Sequence, residues 1–113
     1  MKAIKVYIAG PYSVGDTCQH VRTAIDIAER LLDAGMAPYI PHLAHFWSLV
    51  HQHTTVEWEQ YYNPWLDMCD ALIRFPGESR GADKEVARAN KKGIKVFYDI
   101  DCLIGYYQDT NHG

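Results

Sequence analysis

The stretch from Arg74 to Glu85, Arg-Phe-Pro-Gly-Glu-Ser-Arg-Gly-Ala-Asp-Lys-Glu, constrains this chain more than any other. Ahead of its proline, Ala71-Leu72-Ile73-Arg74-Phe75 is an apolar run of strand length. Pro76-Gly77 ends that run, because proline fixes φ and removes a donor while glycine admits conformations closed to other residues. Behind the loop, Ala82, Val86 and Ala89 recur at helical spacing until Gly93 supplies a stop. Small and hydroxylic residues between a strand and a helix let backbone N–H groups approach a ligand, and a helix N-terminus favours an anion there. At about 100° per residue, Glu85 falls about 60° from the centre of the apolar stripe, at the margin of the buried face. That position lies at the carboxyl end of the sheet, where open α/β folds place their ligands. The alternative for a helical glutamate is a surface pair with Arg88, three residues on.

The rest of the chain reads as the frame for this unit. Ile4 to Ala9 is a β-branched run ended by Gly10-Pro11, and is expected to be the first, central strand. The loop Gly10-Pro11-Tyr12-Ser13-Val14-Gly15-Asp16 is the natural partner of the loop from Gly77 to Gly81. From Asp16 or Thr17 as N-cap, Val21, Ala24, Ile25, Ala28, Leu31 and Leu32 keep a helical period that Gly35 ends. Met36 to Pro41 follows as a strand whose two prolines place it toward the outside of the sheet. Strand, helix, strand in so short a span is a right-handed parallel crossover.

His42 to Asn63 is the least regular part, with helical spacing in Phe46, Leu49 and Val50 and again from Val56 to Tyr62. Asn63-Pro64 resembles an N-cap with proline at the first helical position, starting a further helix through Trp65, Leu66, Met68 and Cys69. The aromatic residues of this segment suit the roof of a pocket for a planar ring, a core, or a subunit contact. Lys95 to Tyr98 is the last strand, Asp99 or Asp101 caps a short helix with Leu103, Ile104, Tyr106 and Tyr107, and the polar tail from Gln108 to Gly113 is expected to fray. The fold expected is α/β: a small flavodoxin-like or Rossmann-like three-layer sandwich, a four- to five-stranded parallel sheet in one domain spanning residues 1–113.

Composition limits the function classes. A net charge of -3 and no long run of Lys and Arg argue against a nucleic-acid surface, while one local cluster still suffices for a small anion. Cys18, Cys69 and Cys102 are odd in number, widely spaced and without a CxxC pair, as in a reduced cytoplasmic protein. No run of about 18 apolar residues suggests a membrane span. His42-x-x-His45 and His51-x-His53 have spacings that metal ligands use, but no Cys or carboxylate cluster completes a site, so neither metal nor other cofactor is expected. His42 or His45 is expected instead to hydrogen-bond a ligand. Arg80 is either a phosphate neutraliser or a solvated surface residue. Arg74, inside an apolar strand, needs a place near the strand end or a partner. Asp83 is read as a complement to the helix dipole and Glu78 as exposed.

Tyr7-Ile8-Ala9-Gly10-Pro11-Tyr12, the Pro41-His42-Leu43 turn, Cys69-Asp70-Ala71-Leu72 and the Pro76 to Glu85 loop together resemble the nucleoside 2-deoxyribosyltransferase superfamily, more narrowly its short relatives with a PGxSxGAxxE loop. The superfamily also contains 2'-deoxynucleoside 5'-phosphate N-hydrolases. The resemblance implies that Glu85 is the nucleophile that attacks the anomeric carbon, and that Tyr7 hydrogen-bonds and positions it. It implies that Ser79 binds a 5'-phosphate, with Gly10, Gly81 and their neighbours Pro11, Tyr12, Ser13 and Arg80 in the same cradle. Serine, glycine and a helix N-terminus suit a phosphate better than a neutral hydroxyl, which favours a nucleotide over a nucleoside as the small-molecule partner. Departure of the base needs a second acid. The family's base-contacting aspartate falls at Tyr62 or Asn63, and neither is an acid; of the nearby carboxylates Glu59 is the candidate, whereas Asp67 reads as a helix-surface residue and Asp70 as a strand-entry residue. The expected activity is an N-glycosidase acting on a nucleoside 5'-monophosphate or related N-ribosyl phosphate, with hydrolysis favoured over transfer. The alternatives are a deoxyribosyltransferase and a nucleotide-sensing module that cleaves nothing. Relatives complete their pockets across subunits, so a homodimer or larger homo-oligomer is expected.

Overall fold

The computed structural model describes residues 3–112, with side chains described for residues 3–108. In chain order the elements are β1 (Lys5–Ala9), α1 (Thr17–Asp33), β2 (Ala37–Tyr39), a 3₁₀ turn (Pro41–Leu43), α2 (Ala44–Val50), α3 (Thr55–Asp67), β3 (Ala71–Arg74), α4 (Arg80–Lys91), β4 (Lys95–Phe97) and α5 (Ile100–His112). The four strands form one sheet in the order β2-β1-β3-β4, and every pair is parallel. β1 is central, with Val6 opposite both Pro38 and Ala71, and the proline-bearing β2 is an edge strand.

The strands are apolar on both sides and divide their residues between two cores. Val6, Ile8, Ala71 and Ile73 face one side, where they pack with Ala24, Ala28 and Leu31 of α1 and Leu103 and Tyr107 of α5. Tyr7, Ala9 and Leu72 face the other, with Leu66 of α3 and Ala82 and Ala89 of α4. This alternation is the two-residue period of a strand expressed in a sheet covered on both faces. The helix after β1 therefore lies on one face and the helix after the adjacent β3 on the other. Their loops part at the carboxyl ends of the two strands, which is the switch point where such sheets open a crevice.

Local signals set most element ends. Asp16 caps α1 by accepting from the Gln19 N–H at 3.1 Å. At its other end Met36 N bonds Leu31 O at 2.9 Å and Gly35 N bonds Leu32 O at 2.9 Å, a Schellman pattern that α4 repeats through Ile94 and Gly93. Asp99 caps α5 by accepting from Cys102 N at 3.1 Å.

Two expectations need correcting. Asn63-Pro64 does not begin a helix: α3 starts at Thr55 and runs through Pro64. Its true start is a capping box, in which Thr54 Oγ1 accepts from Glu57 N and Glu57 accepts from Thr54 N. Leu66, fully buried, and Trp65, stacked on Tyr39, hold the second half of the helix in line with the first. The helical spacing of Phe46, Leu49 and Val50 is realised in α2, where all three side chains are mostly exposed. The chain from Gln108 to His112 continues α5 instead of fraying, and Gly113 lies outside the described residues.

Candidate active site

The two loops at the switch point are fitted to each other by glycines. A Cβ on Gly10 would stand 2.2 Å from the Phe75 ring, and one on Gly77, whose φ is +127°, would stand 2.4 Å from Pro11. Each loop thus occupies the space that a side chain on the other would need. Arg74 braces the second loop from the end of β3, donating to Gly77 O at 2.8 Å and Asp83 Oδ1 at 3.0 Å. The partner that an arginine in an apolar strand requires is therefore Asp83, which is an ion-pair residue as well as a charge in the first turn of α4.

Between these loops lies a cleft of about 890 Å³. Gly10, Tyr12 and Ser13 line it from the first loop, Ser79, Arg80 and Gly81 from the second, and His42, Glu59 and Glu85 from other elements. Pro11 is the exception among the expected binding residues. Its side chain is buried against Gly77 and shapes the loop instead of lining the cleft.

Glu85 is held from below. The hydroxyl of Tyr7, a wholly buried residue of the central strand, donates to Glu85 Oε2. Tyr7 is itself held by stacking: its ring lies 5.6 Å from that of Tyr39, which in turn stacks on Trp65 at 5.6 Å. Burial raises the Tyr7 pKa far above its ordinary value, and the adjacent Glu85 charge raises it further, so Tyr7 stays protonated and keeps the hydrogen it donates to Glu85. Burial pushes Glu85 up to about 7, with the Tyr7 hydrogen bond opposing it, the Glu59 charge adding to it and Arg74 also pulling it down. The surface reading of Glu85 fails because Arg88 is taken, its guanidinium making two bonds of 2.7 Å to Asp67.

Around this carboxylate the other candidates are placed unequally. Ser79 is the N-cap of α4, its Oγ accepting from Ala82 N at 3.0 Å, which leaves its hydroxyl proton to donate outward. Arg80 is exposed at the cleft. Glu59 also lines the cleft but is ion-paired with Lys84 Nζ at 3.1 Å. His42 is buried, its Nε2 donating to Pro11 O at 3.0 Å and lying 3.3 Å from Gly10 O, so it pins the first loop. Burial lowers its pKa, which keeps the ring neutral, and its Nδ1 is buried with no hydrogen-bond partner among the described residues. Asp70 accepts from Lys5 N at 2.8 Å at the entry to the sheet, as expected of it.

Sequence reasoning left three features unassigned. Tyr12 and His45 pair through Tyr12 OH and His45 Nδ1 at 2.6 Å. Tyr39 and Trp65 form the stack beneath Tyr7. Trp58 and Tyr62 stack on each other with 16° between their planes, and both line the cleft. Tyr39 and Trp65 were legible only as a strand and a helix residue, because their stack joins positions far apart in the chain, whereas Trp58 and Tyr62 meet as neighbours four residues apart on α3. Among the described residues no three His, Cys, Asp or Glu side chains gather as a metal site would require.

Fold and cleft define a small α/β protein with a tyrosine-held carboxylate at the switch point of a parallel sheet. The chain belongs to the family DUF7768, a domain of unknown function, whose profile matches residues 4–99. No curated protein matches it. Among solved structures it is similar to a 2-deoxyribosyltransferase from the psychrotolerant bacterium Bacillus psychrosaccharolyticus, with a TM-score of 0.58 at 16% identity over 88% of this chain and 90% of that one. At that identity the likeness establishes a shared Rossmann-like fold.

Proposed function

We propose that the protein cleaves the N-glycosidic bond of a nucleoside or deoxynucleoside 5'-monophosphate, or of a related N-ribosyl phosphate, with Glu85 as nucleophile. The observation that carries this reading is the Tyr7–Glu85 pair, a carboxylate oriented from the central strand into a cleft whose rim is the N-terminus of α4. The Glu85 carboxylate attacks C1' and the bonding pair departs with the base; water then opens the glycosyl ester and restores the carboxylate. The Ser79 hydroxyl and the first-turn backbone N–H groups of α4 take the phosphate, and Arg80 at the same rim supplies the compensating charge. Trp58 and Tyr62 offer planar faces for the base.

Deoxyribosyl transfer to a second base uses the same carboxylate and differs only in what opens the ester. The shared fold with a 2-deoxyribosyltransferase favours it as the second reading. The protein acts as a homodimer or larger homo-oligomer in this proposal, since Phe46, Leu49 and Val50 of α2 leave an apolar face uncovered near the cleft.

The test is free-base release, by chromatography, from ribo- and deoxyribonucleoside 5'-monophosphates and the matching nucleosides, with and without an acceptor base. Release should require the 5'-phosphate and should fall by at least about 10³-fold in Glu85→Ala. Release only when an acceptor base is present selects the transferase. Saturable binding without cleavage, surviving Glu85→Ala, would leave a nucleotide-sensing module in its place.

A further inference from the structure

A base leaving C1' as an anion is a poor leaving group, and something must give it a proton. Among the described residues that line the cleft, most of the candidate donors are already committed. Glu59 is paired with Lys84. Arg88 is paired with Asp67. His42 points its Nε2 at the carbonyls of Gly10 and Pro11 and is kept neutral by burial. Tyr62 donates to Pro41 O at 3.2 Å, and burial together with the Glu85 charge makes its hydroxyl a still weaker acid.

His45 is placed differently. It stands on α2, which follows β2, whereas Glu85 stands on α4, which follows β3, and β1 lies between those two strands. The two side chains therefore enter one cleft from opposite flanks of the central strand. His45 is half-buried, and its Nδ1 is fixed by Tyr12 OH at 2.6 Å. A ring held through one nitrogen has the other oriented, which is how a histidine is aimed for proton transfer.

We infer that His45 is the general acid that protonates the departing base, with Tyr12 as the residue that orients it. The inference rests on the glycosidase reading above and adds the proton donor that reading lacks. Glu85 Oε forms the bond to C1' as the C1'–N bond breaks, and the His45 imidazolium passes its Nε2 proton to the base, which leaves neutral. The neutral imidazole then takes a proton from the water that opens the ester, so His45 and Glu85 both return to their starting states.

The experiment compares guanosine and deoxyguanosine 5'-monophosphates with their N7-methylated counterparts, whose base leaves as a neutral molecule without being protonated. Single-turnover release is measured for the parent, His45→Gln, Tyr12→Phe and Glu85→Ala. His45→Gln should lower release from the unmethylated nucleotides by about 10²–10⁴-fold while changing the methylated ones by no more than a few-fold. Tyr12→Phe should show the same split at smaller amplitude, and Glu85→Ala should lose both. An equal loss on both substrate classes in His45→Gln, or no loss on either, overturns the role of His45 and leaves the glycosidase standing. A parent that releases base neither from these four nor from any nucleotide of the wider panel overturns the glycosidase reading and the inference with it.

Discussion

A carboxylate that attacks a sugar must be ionised, and at Glu85 burial works against that, raising its pKa to about 7. Tyr7 and Arg74 oppose the rise, so the proposed nucleophile is tuned by one hydrogen bond and one charge. Because the ionised form is the reactive one, base release from the N7-methylated nucleotides, which needs no acid, should increase with pH through about 7 and level off above it. Tyr7→Phe removes the donor that favours the charged form, so this limb should move to higher pH with a fall of about 10-fold or more at neutrality. A pH–rate profile of the two proteins checks it; an unmoved limb would mean that Tyr7 only packs. The same shift sets a stability prediction. Glu85 in the folded state holds its proton above the ordinary 4.5, so stability should fall as pH rises from about 4.5 to about 7. Glu85→Gln removes that charge while keeping an acceptor for Tyr7, and should be more stable than the parent at pH 8 by about 1–3 kcal/mol, with little difference near pH 4. Denaturant titrations at both pH values measure this directly.

At the scale of elements, α3 is held in a shape that its own sequence resists. Pro64 supplies no N–H to the carbonyl four residues back, yet the helix continues because Leu66 and Trp65 are anchored beyond it. Pro64→Ala should raise stability by about 1–2 kcal/mol, a gain limited by the greater freedom of the unfolded chain. A lowered Tm in that variant would show that the proline imposes a bend on which the cleft wall depends. The loops are the opposite case, where local chemistry and tertiary fit agree. Gly10 and Gly77 were readable as strand-ending residues, while their mutual packing against Phe75 and Pro11 needed the sheet to bring β1 beside β3.

At the scale of the whole molecule, an apolar side of α2 is left without a partner among the described residues. Phe46, Leu49 and Val50 are 66%, 69% and 75% exposed, too much apolar surface on one short helix to be explained by packing within this chain. Self-association through this face predicts a homodimer or larger species in sedimentation velocity, which Leu49→Asp with Val50→Asp should convert to monomer. A parent that sediments as a monomer at all accessible concentrations would sink the proposal.

How far the chain could be read without its structure follows from the range of the forces involved. The parallel α/β order, the central β1, the caps at Asp16 and Asp99, and the loop-to-helix setting of Glu85 rest on periodicity, turn residues and capping, which act over a few residues and leave their mark in a short window. The start of α3 was equally local, since Thr54-Thr55-Val56-Glu57 has the capping-box pattern, but proline at position 64 offered a competing helix start. What the sequence by itself determined was therefore the strand-loop-helix frame and which residue types stand at its switch point. Only the tertiary structure decided that Arg74 pairs with Asp83, that Arg88 pairs with Asp67 and so leaves Glu85 unclaimed, that Pro11 supports the cleft without lining it, and that Tyr12 holds His45. All but the Arg74–Asp83 pair, which spans one strand-loop-helix turn, depend on distances between segments far apart in the chain, which burial of two apolar faces on one sheet establishes and no local preference encodes.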